Sequence, residues 1–153
     1  MTRIAVQRTI QASPERVFRA VAYVEGLPES NPDVLRIEFL TEQKTGVGTR
    51  FRETRAMGKK EVQTDLEITE WDEPRQARMV TEQGGTVWDT EFRIVPAGDG
   101  VELTIDMDAR PQKLGAKIML RLINGMITKG MNKHIDGLVE HCEAAERQEA
   151  PSQ

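Results

Sequence analysis

The sequence predicts an α+β fold in which a curved, seven-stranded antiparallel sheet wraps around a long C-terminal helix. Short segments that alternate apolar and polar residues, separated by turns, occupy most of the chain before residue 111. Residues 111–147 instead repeat apolar side chains at helical spacing. A long sheet that is apolar on one face twists, and this helix is the partner for its concave side. One helix cannot fill the whole width of such a curve, so we expect a cavity between the two.

Two short helices are expected between the first and second strands. The first strand covers residues 4–10 and is followed by Ser13-Pro14-Glu15. These three side chains suit, in order, a helix cap, the first helical position and the positive end of a helix dipole. The glycine and prolines between residues 26 and 32 then restrict the next segment to a short helix or turn.

Six further strands are expected, joined by short turns. Their alternating segments lie near residues 35–39, 49–57, 62–68, 77–79, 88–94 and 101–107. On the second strand, Leu35, Ile37 and Phe39 alternate with polar residues and are expected to share the apolar face, although Val34 and Leu40 blur its polarity. Gly84-Gly85 indicates a two-residue hairpin. Residues 71–74 (WDEP) are expected to form a turn, because proline cannot extend the ladder.

The C-terminal helix carries two apolar stripes that point in nearly opposite directions. The inner stripe, which we expect the sheet to grip, consists of Ile127, Met131, Ile135, Leu138 and Cys142. The outer stripe consists of Leu114, Ile118, Leu122 and Met126. Five basic residues accompany these stripes: Lys113, Lys117, Arg121, Lys129 and Lys133.

A bend between the two stripes is expected at Gly125 and Gly130, because each glycine costs a helix about 1 kcal/mol relative to alanine. Residues 113–123 would then form a separately oriented lid over one end of the cavity. An uninterrupted helix would instead leave the outer stripe as a surface for a second subunit or a membrane.

The composition excludes several classes of protein. The 153 residues indicate one domain, residues 1–147, with a disordered tail at residues 148–153. A net charge of −4 argues against non-specific nucleic-acid binding. The sequence has no long apolar run or signal core, so stable membrane insertion is not expected. The single cysteine fits a reducing compartment, and we expect a cytoplasmic protein.

Four segments together resemble a known family. They are residues 13–18 (SPERVF), 31–34 (NPDV), 46–53 (GVGTRFRE) and 71–75 (WDEPR), with the amphipathic C-terminal helix completing the pattern. On these residues the chain resembles the START-like or SRPBCC superfamily, which has the helix-grip fold. Within that superfamily it is most similar to the polyketide cyclase/dehydrase and lipid-transport type.

The resemblance implies a cavity that binds apolar or amphipathic small molecules, which family members transport, sense or, more rarely, transform. It implies no invariant set of catalytic residues. Many relatives have tryptophan immediately before the proline that precedes the second strand, whereas this chain has Ser30-Asn31 before Pro32. The missing ring changes one end of the expected cavity.

The third strand carries the candidate chemistry. If Phe51 points inward, strand parity sends Glu53, Arg55 and Met57 inward too. Glu53 could then act in proton transfer and Arg55 could hold a carbonyl or anion. The alternative is that the two charges lie near an open strand end, pair with each other or with neighbours, and are solvated. The expected ligand-binding wall comprises Phe51, Met57, Thr64, Leu66, Met79, Thr90, Phe92, Met107, Ile127 and Met131.

No metal site or cofactor is expected. His134 and His141 lie on one helical face, but no HExxH, CxxC or carboxylate–histidine cluster accompanies them, so we interpret them as surface or groove histidines. Cys142, on the inner stripe, is interpreted as a small core residue. No phosphate-binding loop or nucleophile elbow is present in the sequence.

Three functions remain open on the sequence alone. The leading one is binding or carriage of a hydrophobic small molecule, such as a polyketide-like aromatic, a lipid or an isoprenoid. The second is an enzyme of cyclase or dehydratase type that uses Glu53 and Arg55. The third is a protein- or membrane-interaction module that acts through the outer stripe, with a homodimer as one form of it.

Overall fold

A computed structural model describes residues 2–149 and has the expected order of elements. The strands are β1 (Thr2–Ile10), β2 (Val34–Phe39), β3 (Arg50–Met57), β4 (Lys60–Asp72), β5 (Gln76–Gln83), β6 (Thr86–Ala97) and β7 (Gly100–Pro111). The helices are α1 (Pro14–Ala22), a 3₁₀ turn (Val24–Gly26), α2 (Leu27–Ser30) and α3 (Leu114–Glu149). The predicted α+β helix-grip fold is confirmed, including the two short helices between the first two strands.

All seven strands form one antiparallel sheet, in the order β1-β7-β6-β5-β4-β3-β2. Strands β2 to β7 are successive neighbours, and β1 is the edge strand beside β7. The helices α1 and α2, which lie between β1 and β2 in the chain, therefore connect opposite edges of the sheet. Gly100, at the start of β7, lies so close to β1 that an added Cβ would meet the Ile10 carbonyl oxygen at 2.2 Å.

Helix α1 begins as the sequence predicts and is held by aromatic packing. The Ser13 Oγ accepts a hydrogen bond from the Arg16 backbone N–H at 3.2 Å, which caps the helix. Phe18 packs edge-on against Trp71, with ring centroids 4.9 Å apart. The turn expected at residues 71–74 is wrong in its first half, because Trp71 pairs with Ala77 and extends β4. Burial of the Trp71 ring against Phe18 and Tyr23 favours that extension.

The inward face of β2 also differs from the prediction. The register shifts between Val34 and Arg36, which is a β-bulge and interrupts the alternation of side chains. As a result Val34 is buried, whereas Leu35 is 42% exposed. Ile37 and Phe39, beyond the bulge, pack against the core as expected.

The inner stripe of α3 is buried as the sequence predicts. Ile135, Leu138 and Cys142 are fully buried, and Met131 packs against the same cluster. Arg8 of β1 fixes this part of the helix, because its Nε donates to Asp136 at 2.9 Å and its Nη2 to Asn132 at 2.8 Å. Apolar packing and the Arg8 hydrogen bonds at the rim thus hold the helix and the sheet together.

The glycines do not break α3, because the helix runs without interruption from Leu114 to Glu149. Its first turns are anchored on the β5–β6 hairpin, where the Gln112 N–H donates to the Gly85 carbonyl at 2.8 Å. Leu120, two turns on, is buried. An interior glycine costs a helix only about 1 kcal/mol, which this 36-residue helix tolerates. Residues 113–123 therefore form part of one rod and do not form a separate lid.

The continuous helix has two further consequences. Residues 148–149, predicted to be part of a disordered tail, are helical, while residues 150–153 lie outside the described part of the chain. The outer stripe is left on the surface, with Leu114 74% and Leu122 77% exposed. Within residues 2–149, no helix is long and apolar enough to cross a membrane.

The contrast between the two faces of α3 can be measured with a matched pair of leucine substitutions. Leu138→Ala should lower the free energy of unfolding by about 2–5 kcal/mol, because it removes buried apolar volume and leaves a cavity. Leu122→Ala, on the exposed face of the same helix, should change that free energy by less than about 0.5 kcal/mol. Urea unfolding of both variants gives the two values, and equal losses would contradict the assignment of the faces.

Candidate functional site

A cavity of about 410 Å³ lies between the sheet and α3. Its floor is formed by strands β3 to β7 and its roof by the middle of α3, from Ile123 to His134. Volumes of this order accommodate small organic ligands. The space that the fold leaves beside the gripped helix is therefore large enough to be a binding site.

The apolar wall of the cavity is built from rows of residues that pair across the central strands. Met79 of β5 is opposite Thr90 of β6, which in turn is opposite Met107 of β7. Phe92 and Ile105 form part of the next inward row. All five line the cavity, so the inward faces of three adjacent strands supply one continuous surface.

A polar group lies at the β3 side of the cavity. The Arg55 Nε donates to the Glu53 Oε1 at 2.9 Å, and both side chains line the cavity. Glu53 is the better shielded, with 14% of its side chain exposed against 34% for Arg55. Glu53 and Arg55 therefore pair with each other and also face the cavity.

His134 completes the polar group from the α3 side. The Asn31 Nδ2 hydrogen-bonds to the His134 Nδ1, and the Asn31 Oδ1 accepts from the Asp33 backbone N–H at 3.1 Å. That second bond fixes the orientation of the amide, so the amide N–H faces the ring and donates to Nδ1. The neutral imidazole then carries its proton on Nε2.

Burial keeps the His134 ring neutral. Removal from water lowers the pKa of His134 to about 4, and the positive charge of Arg55 acts in the same direction. At neutral pH the cavity therefore contains an uncharged ring whose Nε2–H is a hydrogen-bond donor. His134 has no partners for metal binding, because within residues 2–149 no three His, Cys, Asp or Glu side chains are grouped to hold a metal ion.

Most of the expected ligand-binding residues line the cavity. These are Phe51, Met57, Leu66, Met79, Thr90, Phe92, Met107, Ile127 and Met131. Thr64 is the exception and is a correction to the predicted wall. It is opposite Glu53 in the register, but its Oγ1 donates to the Gln83 Oε1 at 2.7 Å, away from the cavity.

The predicted wall leaves out several residues that line the cavity, including His134, Met126 and Asp33. His134 was interpreted as a surface or groove residue, although it follows Ile127 and Met131 at helical spacing, and that spacing indicated a cavity-facing position. Met126 was assigned to the outer stripe alone, yet it also lines the cavity. Asp33 precedes β2 and lies at the polar end. Its position follows from how the α2–β2 connection packs, which no local pattern specifies.

Two other features are not part of this site. Burial raises the pKa of the Cys142 thiol to about 11, so it stays protonated and is a core residue. A larger cleft of about 730 Å³ lies between α1 and the end of α3, but charged residues such as Arg16, Arg19 and Glu149 line it. Arg16 pairs there with Glu146 at 2.7 Å. That cleft is a solvated groove rather than an apolar pocket.

Comparison with known families agrees with this geometry. The sequence profile described as "Polyketide cyclase / dehydrase and lipid transport" matches residues 1–143. The chain belongs to this family. No curated protein sequence matches it.

Solved structures with the same fold come from bacteria and plants. A Thermus thermophilus protein shares 24% identity with a TM-score of 0.77, covering 94% of this chain and 99% of its own. A START superfamily protein from Mycobacterium smegmatis shares 19% identity with a TM-score of 0.71, covering 91% and 97%. Norcoclaurine synthase from Thalictrum flavum, solved with dopamine and hydroxybenzaldehyde, shares 16% identity with a TM-score of 0.72, covering 99% and 89%. At these identities the likeness establishes the fold alone.

The pKa of His134 predicts a pH dependence of stability. The unfolded chain takes up a proton near pH 6.5, whereas the folded chain takes it up only near pH 4. The stability that comes from this group is therefore complete above pH 6.5 and is lost as the pH falls towards 4, by about 3 kcal/mol. His134→Gln should flatten the stability curve over this range in urea unfolding.

The other histidine provides the matched control. His141→Gln should leave the slope between pH 6.5 and pH 4 unchanged, since burial of His134 is the stated cause. A His134→Gln variant with the same slope as the wild type would contradict a His134 whose pKa is lowered by burial.

Proposed function

We propose that this protein binds and carries an amphipathic small molecule in the cavity between the sheet and α3. The observation that carries the proposal is the division of the cavity into a broad apolar wall and one compact polar end. The membership of the family is in keeping with a ligand-binding role. Polyketide-like aromatics, lipids and isoprenoids are the classes with a suitable apolar body.

The charges of the polar end favour a neutral ligand group. Arg55 is compensated by Glu53, and Asp33 by Lys133, whose Nζ lies 2.8 Å from the Asp33 Oδ2. His134 is neutral at pH 7. An ionised ligand group would therefore meet no unpaired charge and would lose its hydration. A hydroxyl, phenol or ketone oxygen can accept from the His134 Nε2–H, and a hydroxyl or phenol O–H can donate to the Glu53 carboxylate, without that cost.

The apolar wall favours a ligand of adaptable shape. Met57, Met79, Met107 and Met131 all line the cavity, and methionine side chains are flexible and polarizable. They can therefore contact apolar bodies of several outlines. Such a wall supports carriage of a class of molecules more than recognition of one compound.

Cavity binding is tested by a charged substitution in the roof. Met131→Arg should weaken binding of the neutral fluorescent probe N-phenylnaphthylamine by at least about tenfold, because it places an unpaired charge in the apolar space. Fluorescence titration gives the affinities. Met119→Arg is the matched control, since Met119 lies on the same helix, is 54% exposed and is not part of the cavity wall.

Native mass spectrometry of freshly purified protein complements this titration. A bound mass that is present in the wild type and lost in Met131→Arg would identify the ligand class. Equal probe binding by the two arginine variants, with both folded by circular dichroism, would contradict the proposal.

A second candidate function is proton-transfer catalysis on the bound molecule. What favours it is the shielded Glu53 carboxylate, which Arg55 orients at 2.9 Å within the same cavity as the His134 ring. A carboxylate held in this way can remove a proton next to a ligand carbonyl, and Arg55 or His134 can stabilise the resulting oxyanion. Cyclisation and dehydration of a polyketide-like ketone both use such a step.

The catalytic alternative is separated from carriage by Glu53→Gln. If Glu53 is the base, turnover of a ligand identified by mass spectrometry should fall by about a hundredfold or more, while its affinity stays within a few-fold. Glu61→Gln, an exposed glutamate on β4, is the control. Undiminished turnover in Glu53→Gln would exclude this role for Glu53.

A further inference from the structure

The outer stripe of α3 is an apolar surface that nothing in residues 2–149 covers. Leu114, Ile118, Leu122 and Met126 are 74%, 53%, 77% and 56% exposed, and neighbouring Met119 is 54% exposed. On a single helix this is a contiguous patch of large apolar side chains, which soluble surfaces rarely present without a partner. The position of the patch and its charges indicate what that partner is.

The charges that this part of α3 carries along the outer stripe are all of one sign. Between residues 111 and 135 the chain has five basic residues and no acidic one, although its net charge is −4. The acidic residues of α3 begin at Asp136, outside the exposed patch. Among residues 2–149, Lys133 pairs with Asp33, whereas Lys113, Lys117, Arg121 and Lys129 make no ion pair. Four unpaired cations therefore border the apolar patch, and an anionic partner would complement them.

The patch is continuous with the mouth of the cavity. Met126 belongs to the outer stripe and also lines the cavity, and Met57 lines it while being 47% exposed. These two half-exposed methionines therefore lie at the mouth. Lys59, in the turn after Met57, and Lys60, at the start of β4, are exposed and add positive charge near the second methionine. A surface that covers the patch also meets the opening through which a ligand passes.

We propose that the outer stripe and its basic border dock on the surface of an anionic lipid bilayer. Leucine, isoleucine and methionine side chains enter the boundary between headgroups and acyl chains, while lysine and arginine reach the lipid phosphates beside them. This is binding at the interface and does not require a spanning helix. Each basic residue near an anionic leaflet adds to the affinity, so several together with one apolar stripe give reversible attachment.

Two other partners fit the same surface less well. A second copy of the chain would bring one basic border against another, and like charges oppose that contact. A nucleic acid would match the charge, but its phosphates offer nothing to three exposed aliphatic side chains at the centre of the patch. Of these three partners, a lipid surface is the one that satisfies the charge and the apolar area together.

Vesicle co-sedimentation tests the proposal with the intact protein. The wild type should bind vesicles of phosphatidylcholine that contain about 30% phosphatidylglycerol, and should bind pure phosphatidylcholine vesicles at least about tenfold more weakly. About 0.5 M NaCl should reduce the binding, because salt screens the cationic border. Leu122→Asp and the double variant Lys117→Glu/Arg121→Glu should each weaken binding by more than about tenfold.

Controls separate this surface from the cavity. Leu40→Asp replaces an exposed leucine outside α3 and should leave vesicle binding unchanged. Met131→Arg should still bind vesicles, and Leu122→Asp should still bind N-phenylnaphthylamine, so either proposal can fail alone. The docking proposal is overturned if Leu122→Asp sediments with anionic vesicles as the wild type does. It is also overturned if the wild type is a dimer by analytical ultracentrifugation that Leu122→Asp converts to a monomer.

Discussion

Burial of one side of α3 against the sheet is the interaction on which the rest of this structure depends. Ile135, Leu138 and Cys142 join sheet residues such as Ile10 and Leu103 in a single apolar cluster. Each large side chain buried in this way contributes about 1.5–3 kcal/mol. The cluster occupies much of the space between α3 and the sheet. The cavity is the space that remains beside the middle of the helix, from Ile123 to His134.

The polar end of the cavity is arranged so that no charge is left alone. Glu53 pairs with Arg55 on β3, and His134 stays neutral beside them. An isolated charge in such a place would cost several kcal/mol, whereas a compensated pair and a neutral ring leave hydrogen-bonding capacity without that penalty. Chemical character in this cavity therefore comes from hydrogen bonds within an otherwise apolar space.

Local patterns in the sequence predict the fold and most of the cavity wall, because strand parity and helical spacing are local properties. Phe51 and Met57 follow from alternation on β3, and Met131 from the inner stripe. Most of the predictions that are wrong concern residues whose conformation depends on contacts with distant parts of the chain. A bulge against β3 turns Leu35 outward, packing on Phe18 draws Trp71 into β4, and α3 stays helical through its glycines. His134 needed its partner Asn31, 103 residues away, before its role was visible.

Through its bond to His134, Asn31 determines whether the imidazole presents a hydrogen-bond donor or acceptor to the cavity, although Asn31 does not line the cavity. Asn31 is buried beside the cavity without forming part of its lining, and its amide obliges the imidazole to present Nε2–H. An aspartate at this position would accept a hydrogen bond instead of donating one, so the ring proton would move to Nδ1. The cavity would then offer an acceptor where it now offers a donor, with its volume and apolar wall unchanged. One substitution outside the lining can thus change the ligands that the cavity suits, from molecules that accept a hydrogen bond to molecules that donate one.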